Sequence, residues 1–455
     1  MSSPSDELAT FPPGFLWGAS TAAYQIEGAA AVDGRGPSVW DTFSHQPGRI
    51  ADGSTGDVAC DHYHRCAEDV ALMSRLGLTG YRFSVAWPRI QPAGSGPVNQ
   101  AGLAFYDRLI DALLARDIAP MLTLFHWDLP QPLQDAGGWL NRDTTARFAE
   151  YAAILGERFA DRVGYWMPVN EPNVVTLLGH VLGVHAPGST LGWDALPVAH
   201  HLLLGHGLAV QALRAAGARR VGSANNHVPV WPASESAADL AAAAGYDDVW
   251  NRLFADPILL GSYPERLLPK LPAELLRRLP EDLATIAQPL DFYGLNHYNP
   301  ARVGAATGGE SAMERLGFRQ VPLEGYPRTD FDWPVVPAGL REVLNQLAQR
   351  YPGLPPVIVT ENGCSYADGP GPDGLVHDDR RIAYLDGHLR AVRQAMTDGV
   401  PVAGYCCWSL LDNFEWAEGY RQRFGLVHVD YQTQVRTPKD SYAWYAGIIR
   451  RNRGS

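Results

Sequence analysis

Two rhythms of hydrophobic and polar positions alternate along this chain. Short apolar runs that stop at a polar residue give way to longer stretches whose apolar residues recur at helical spacing. The short runs lie near residues 16, 82, 122, 167, 222, 293, 358 and 405 and predict eight strands. Helical spacing predicts helices over 63–76, 102–115, 143–159, 195–216, 339–350 and 379–398, with two more helical stretches within 234–287. Regular strand–helix alternation of this kind predicts parallel strands, and eight such units predict an α/β fold of the closed (β/α)8, or TIM-barrel, type.

No linker or low-complexity run is long enough to split the chain, so one barrel domain is expected over 11–450. Residues 1–10 are polar and expected to be disordered, and 451–455 are expected to form a C-terminal tail. The segments 33–57, 172–194, 300–337 and 411–440 are long and rich in turn-forming residues, and each follows a strand. In a barrel they decorate the C-terminal face, where such folds keep their sites.

Composition narrows the picture. The 455 residues are 46% hydrophobic and 19% charged, ample for a large core. A net charge of −12 argues against a nucleic-acid partner. Five cysteines, Cys60, Cys66, Cys364, Cys406 and Cys407, include no C-x-x-C pair, so reduced thiols are expected; whether Cys60 and Cys66 meet stays open. His62 and His64 alternate without a third ligand in view, and neither a metal site nor a cofactor is expected. His185, His200 and His201 read as structural. The start of the chain has no basic segment leading into an apolar one, and no apolar run is of membrane length. A cytoplasmic enzyme with no membrane partner is the expectation.

Polar and aromatic residues gather where the predicted strands end: Gln25, Arg82, His126 with Trp127, Asn170 with Glu171, Asn296 with Tyr298, Glu361 and Trp408. Turns are polar anyway, so one such residue means little. Seven strands ending this way point to a site. Hydrogen-bonding groups mixed with tryptophan suit a sugar, whose rim carries hydroxyls and whose C–H face packs on an aromatic ring. Two of these ends carry acids in similar settings. Val357-Ile358-Val359 runs into Thr360-Glu361-Asn362-Gly363, and an apolar stretch over 163–169 runs into Asn170-Glu171-Pro172. Two glutamates at two strand tips suggest a carboxylate pair.

Asn170-Glu171-Pro172 and Thr360-Glu361-Asn362-Gly363 resemble the paired signatures of glycoside hydrolase family 1, the β-glucosidase family. So do Phe15-Leu16-Trp17-Gly18 with Gln25-Ile26-Glu27-Gly28, Tyr81-Arg82-Phe83-Ser84 with Trp87, the run 124–129, and the run from Trp408 to Trp416. The resemblance spans nearly the whole chain in the family's order. It implies that Glu171 is the general acid/base and Glu361 the nucleophile of a retaining double displacement, with carboxyls ~5–5.5 Å apart. Arg82 would favour the charged form of Glu361, and Tyr298 would orient it. Burial and the Glu361 charge would raise the pKa of Glu171. Asn170 would bond the sugar 2-hydroxyl. Gln25, His126, Glu415 and Trp416 would hold the remaining hydroxyls, with Trp127 and Asn296 adding to that wall and Trp408 stacking under the ring. Trp333, in the 300–337 insertion, matches the aromatic of the leaving-group subsite.

The expected substrates are β-D-glucosides or cello-oligosaccharides, with tolerance for fucosides and galactosides. A 6-phospho-β-glycosidase is disfavoured, because Glu415 would repel a phosphate and 411–430 contains no lysine, although Arg421 and Arg423 lie there. A thioglucosidase lacking the acid is disfavoured by Glu171. A non-catalytic sugar-binding barrel is disfavoured by the intact glutamate pair, while a transglycosylase remains compatible with the sequence. Aglycone preference and oligomeric state are not encoded in these motifs.

Overall fold

The computed structural model describes residues 11–453. The eight expected strands are present: β1 Leu16–Ser20, β2 Gly80–Ser84, β3 Ala119–Phe125, β4 Tyr165–Val169, β5 Gly222–Asn226, β6 Phe292–Asn296, β7 Val357–Asn362 and β8 Val402–Trp408. All pair in parallel, in the order β4-β3-β2-β1-β8-β7-β6-β5. Parallel bridges Trp166 to Val221 and Asn170 to Ala224 join β4 to β5 and close the ring. Helices α1 His62–Leu76, α2 Gln100–Leu114, α3 Asp143–Phe159, α4 Leu196–Ala215, α5 Ala273–Ile286, α6 Pro337–Arg350, α7 Asp379–Thr397 and α8 Asp440–Arg453 surround it. Among the described residues no helix is long and apolar enough to cross a membrane.

The interior explains how strands become a site. Leu16, Met121, Met167, Ala224, Phe292, Ile358 and Cys406 form one buried cluster, with one residue from each of seven strands. Gly80 of β2 supplies the space for it, since a side chain there would run into Leu16 and Met121. Side chains alternate along a strand, so residues two or four positions further on share the inward face. Those residues are Arg82, Asn226, Asn296, Thr360 and Trp408. An apolar floor therefore underlies a polar layer at the C-terminal ends.

Several expectations need correction. Arg82 lies within β2 rather than at its end, and Gln25 belongs to a short helix, Ala23–Ile26, beyond β1. The segment 33–57 contains a helix, Val39–Ser44, started by a capping box in which Ser38 and Asp41 bond each other's backbone N–H groups. The 300–337 segment is not wholly irregular: Ala301–Ala305 pairs with Val230–Pro232 and Phe318–Gln320 in a small sheet. α8 was not predicted, and it runs through the expected boundary at 450 to Arg453. Asn452 is buried and its Oδ1 accepts from the Phe11 N–H, so residues 451–453 continue the barrel's last helix rather than a tail. Residues 1–10, expected to be disordered, lie outside the described residues. All five cysteines, Cys60 and Cys66 included, are free.

Candidate active site

Glu361 enters the barrel mouth because β7 loses register. Its pairing with both neighbouring strands shifts between Val359 and Asn362. The irregularity lets consecutive residues reach the interior: Thr360 Oγ1 donates to Asn296, while Glu361 meets Arg82 and Tyr298. Gly363 follows because β7 passes hard against β8 there; a Cβ would lie 1.7 Å from the Trp408 carbonyl oxygen.

Arg82 and Glu361 form a buried ion pair, Nη1 to Oε1 at 2.5 Å. The other arm of the guanidinium, Nη2, donates to Asn170 Oδ1 at 2.6 Å. Tyr298 donates its hydroxyl to Glu361 Oε2 at 2.7 Å. Burial and the surrounding carboxylates hold the Tyr298 hydroxyl far above its usual range, so it stays a donor.

Glu171 leaves β4 in the left-handed region, with φ +45°. Trp127 and Trp416 share that unusual backbone, at φ +78° and +48°. Such conformations cost about 1–3 kcal/mol each and persist only where the surroundings enforce them. Glu171 Oε1 accepts from Asn296 Nδ2 at 2.9 Å and from Asn226 Nδ2 at 3.0 Å. Burial, and next the charge of Glu361, push its pKa up to about 8, against the amide bonds and Arg82.

The hydrogen-bond chain also fixes a tautomer. A guanidinium can only donate, so the Asn170 atom facing Arg82 is its oxygen and the amide nitrogen faces His126. His126 Nε2, 3.0 Å away, is therefore an acceptor, and the ring proton sits on Nδ1. Nδ1 is buried without a partner among the described residues. Burial, then the Arg82 charge, holds the imidazole neutral by driving its pKa far down. Gln25 Nε2 bonds Glu415, Asn413 and the Phe414 carbonyl, leaving Gln25 Oε1 without a partner among the described residues. Burial, then the charges of Glu361 and Glu171, raise Glu415 to about 8.

A cavity of about 680 Å³ opens above these groups. Glu171, Glu361, His126, Trp127, Tyr298, Trp333, Trp408, Glu415 and Trp416 line it. Gln25, Arg82, Asn170 and Asn296 stand behind the lining and are bonded to it. The rings of Trp408 and Trp416 both lie near parallel to His126, at 21° and 19°. Trp127 Nε1 donates to the Asn170 carbonyl, and its ring packs 4.4 Å from Trp416. Trp333 stacks on Phe331 and stands 5.2 Å from Tyr298, at the outer side of the cavity. Among the described residues no three His, Cys, Asp or Glu side chains group as metal ligands.

Sequence reasoning missed Asn226, Trp250 and His185. Asn226 ends β5 and obeys the same strand-end rule as the others, so that signal was present in Asn225-Asn226. Trp250 lies in an alanine-rich helical stretch that carried no motif, yet it lines the cavity. His185 was read as structural; it too lines the cavity, edge-on to Trp40 and tilted against Trp127.

The chain is similar to known proteins from end to end. The family described as "Glycosyl hydrolase family 1" matches residues 7–454. "Beta-glucosidase A" of Acetivibrio thermocellus is 48% identical over 97% of this chain and 99% of its own length. A "Bifunctional beta-D-glucosidase/beta-D-fucosidase" of Bifidobacterium breve is 44% identical, covering 96% and 98%. The structure of "Beta-glucosidase from Thermotoga maritima in complex with deoxynojirimycin" superposes with a TM-score of 0.93 at 44% identity, over 98% of this chain and 99% of that one. With a (β/α)8 barrel, two buried glutamates at its mouth and relatives this similar from end to end, the chain belongs to glycosyl hydrolase family 1.

Proposed function

We propose that this protein is a retaining β-glucosidase, with Glu361 as nucleophile and Glu171 as general acid/base. The observation that carries the reading is the unlike surroundings of the two glutamates. Glu361 has a fixed cation at one oxygen and a hydroxyl donor at the other. Glu171 has only neutral amides, and its buried carboxyl keeps a proton up to about pH 8. A carboxyl that keeps its proton, beside one braced by a cation and a hydroxyl, suits an acid and a nucleophile.

In the first step a Glu361 oxygen attacks the anomeric carbon while the bond to the leaving oxygen breaks. Glu171 passes its proton to that oxygen. Esterification removes the Glu361 charge, which is the second largest cause of the raised Glu171 pKa. Glu171 then becomes the stronger acid and can stand as a carboxylate. It takes a proton from water, which attacks the anomeric carbon and releases Glu361.

His126 Nδ1–H and Gln25 Oε1, without partners among the described residues, offer a donor and an acceptor for the glucose hydroxyls. Asn170 serves the 2-hydroxyl. Glu415, Trp416, Trp127 and Asn296 complete the polar wall, and Trp408 supplies an apolar face. Trp333 belongs to the leaving-group side. The substrates are terminal β-D-glucosyl residues of small glucosides or cello-oligosaccharides, with β-fucosides and β-galactosides also accepted. The likeness to a bifunctional relative supports the fucoside.

An aryl β-glucoside tests the reading. Turnover by the wild type that Glu361→Gln abolishes is expected; undiminished turnover in that variant would overturn it.

A further inference from the structure

Both amides that reach Glu171 are themselves held by a second group. The indole N–H of Trp250 lies 3.1 Å from Asn226 Oδ1. An indole nitrogen can only donate, so the Asn226 atom facing it must be the oxygen, and the amide nitrogen must face Glu171. The other amide, Asn296, is fixed in the same way. Arg82 fixes the Asn170 oxygen, Asn296 therefore turns its nitrogen towards Asn170 and Glu171, and its oxygen takes the Thr360 hydroxyl. Two donor-only anchors thus present two N–H groups to one oxygen, Glu171 Oε1. A proton on that oxygen would collide with both, so the acidic proton belongs on Oε2.

We propose that Trp250 is a positioning residue for proton transfer: by pinning the Asn226 carboxamide it keeps the Glu171 proton on the oxygen that serves the leaving group. This rests on the reading of Glu171 as general acid. Without the indole N–H, the Asn226 amide can turn over and accept a proton from Oε1. That orientation stabilises the protonated acid and holds its proton on the wrong oxygen. The other charged or titratable groups acting on Glu171 are Glu361, Arg82, Glu415 and Tyr298, and the indole N–H of Trp250 bonds Asn226 rather than any of them. Trp250 also lines the cavity and stacks on Tyr246, whose hydroxyl accepts from Gln320. A leaving group in contact with the indole therefore touches the residue that sets the acid.

Trp250→Phe removes the N–H and keeps a ring. Values of kcat/KM are measured across pH for phenyl β-glucoside, which needs the acid, and 2,4-dinitrophenyl β-glucoside, which does not. The phenyl-to-dinitrophenyl ratio is expected to fall roughly tenfold, with the alkaline limb of the phenyl profile moved to higher pH. In an Asn226→Ala background the same substitution should change neither quantity, because there is no amide left to turn. An unchanged ratio in Trp250→Phe, or an equal fall in both backgrounds, overturns the proposal. Glu171→Gln separates the two levels. If it fails to lower the ratio, the general-acid reading itself is wrong; if it lowers the ratio and Trp250→Phe does not, only the role of Trp250 is. Should Trp250→Phe not fold, Asn226→Asp asks the same question. It replaces the pinned donor with a carboxyl, and a ratio that stays at the wild-type value overturns the proposal.

Discussion

Arg82 of β2 reaches across the barrel mouth to Glu361 of β7, strands that are not neighbours in the sheet, and meets it at 2.5 Å with both side chains almost wholly buried. The pair is a brace as well as a charge contact, because the second arm of the guanidinium holds Asn170. Arg82→Met leaves Glu361 buried without a cation. Unfolding measured by denaturant should show a loss of roughly 3–5 kcal/mol. With an aryl β-glucoside, kcat/KM should fall by at least about a hundredfold. Arg82→Lys restores a charge but not the two-armed reach, so it should recover stability better than activity.

The pH profile follows from Glu171. In the proposed acid/base role its protonated form is the active one in the first step, and its pKa is raised to about 8. For substrates with poor leaving groups, kcat/KM should hold through neutral pH and fall as pH rises through about 8. With 2,4-dinitrophenyl β-glucoside, Glu171→Gln should show no such alkaline limb. A limb that persists in this variant would assign it to another group, and Glu415, raised to a similar value, is the first to examine.

Glu415 carries a stability cost with a definite sign. Its pKa rises from an ordinary 4.5 to about 8 on folding, so the folded state binds more protons than the unfolded chain between those values. Stability must therefore decline as pH rises across that window. Glu415→Gln, neutral at every pH, should melt a few degrees higher than the wild type at pH 9 and show little difference at pH 4, while losing affinity for glucosides. A thermal melt at the two pH values decides the point.

What was legible in the sequence divides along physical lines. β7 was plain because Val357-Ile358-Val359 is β-branched and runs through Thr360 into a glutamate and a glycine, the pattern of a buried strand with an acid at its tip. Glu171, Glu361, Trp127 and Trp408 were singled out because each stands where an apolar strand run ends, and all four line the cavity. Asn226 escaped because β5, Gly222-Ser223-Ala224-Asn225-Asn226, is small and polar and its end looks like a turn. Trp250 escaped for a different reason: it reaches the site from an irregular helical turn after β5, and nothing local tells an inward indole from a core one. The strand Ala301–Ala305 was hidden among glycine and charge, because it is held between Phe318–Gln320 and the distant Val230–Pro232. The tautomer of His126 was out of reach of any sequence, since it depends on Arg82 fixing Asn170.

The covalent step at Glu361 is the centre of this account, and a slow substrate tests it most directly. A 2-deoxy-2-fluoro-β-glucoside with an activated leaving group slows both steps, so the glycosyl-enzyme accumulates. Peptide mapping by mass spectrometry should then find the fluorosugar on Glu361, with activity returning as the label is released. A label on another residue, or unlabelled enzyme that keeps turning the substrate over, would contradict it.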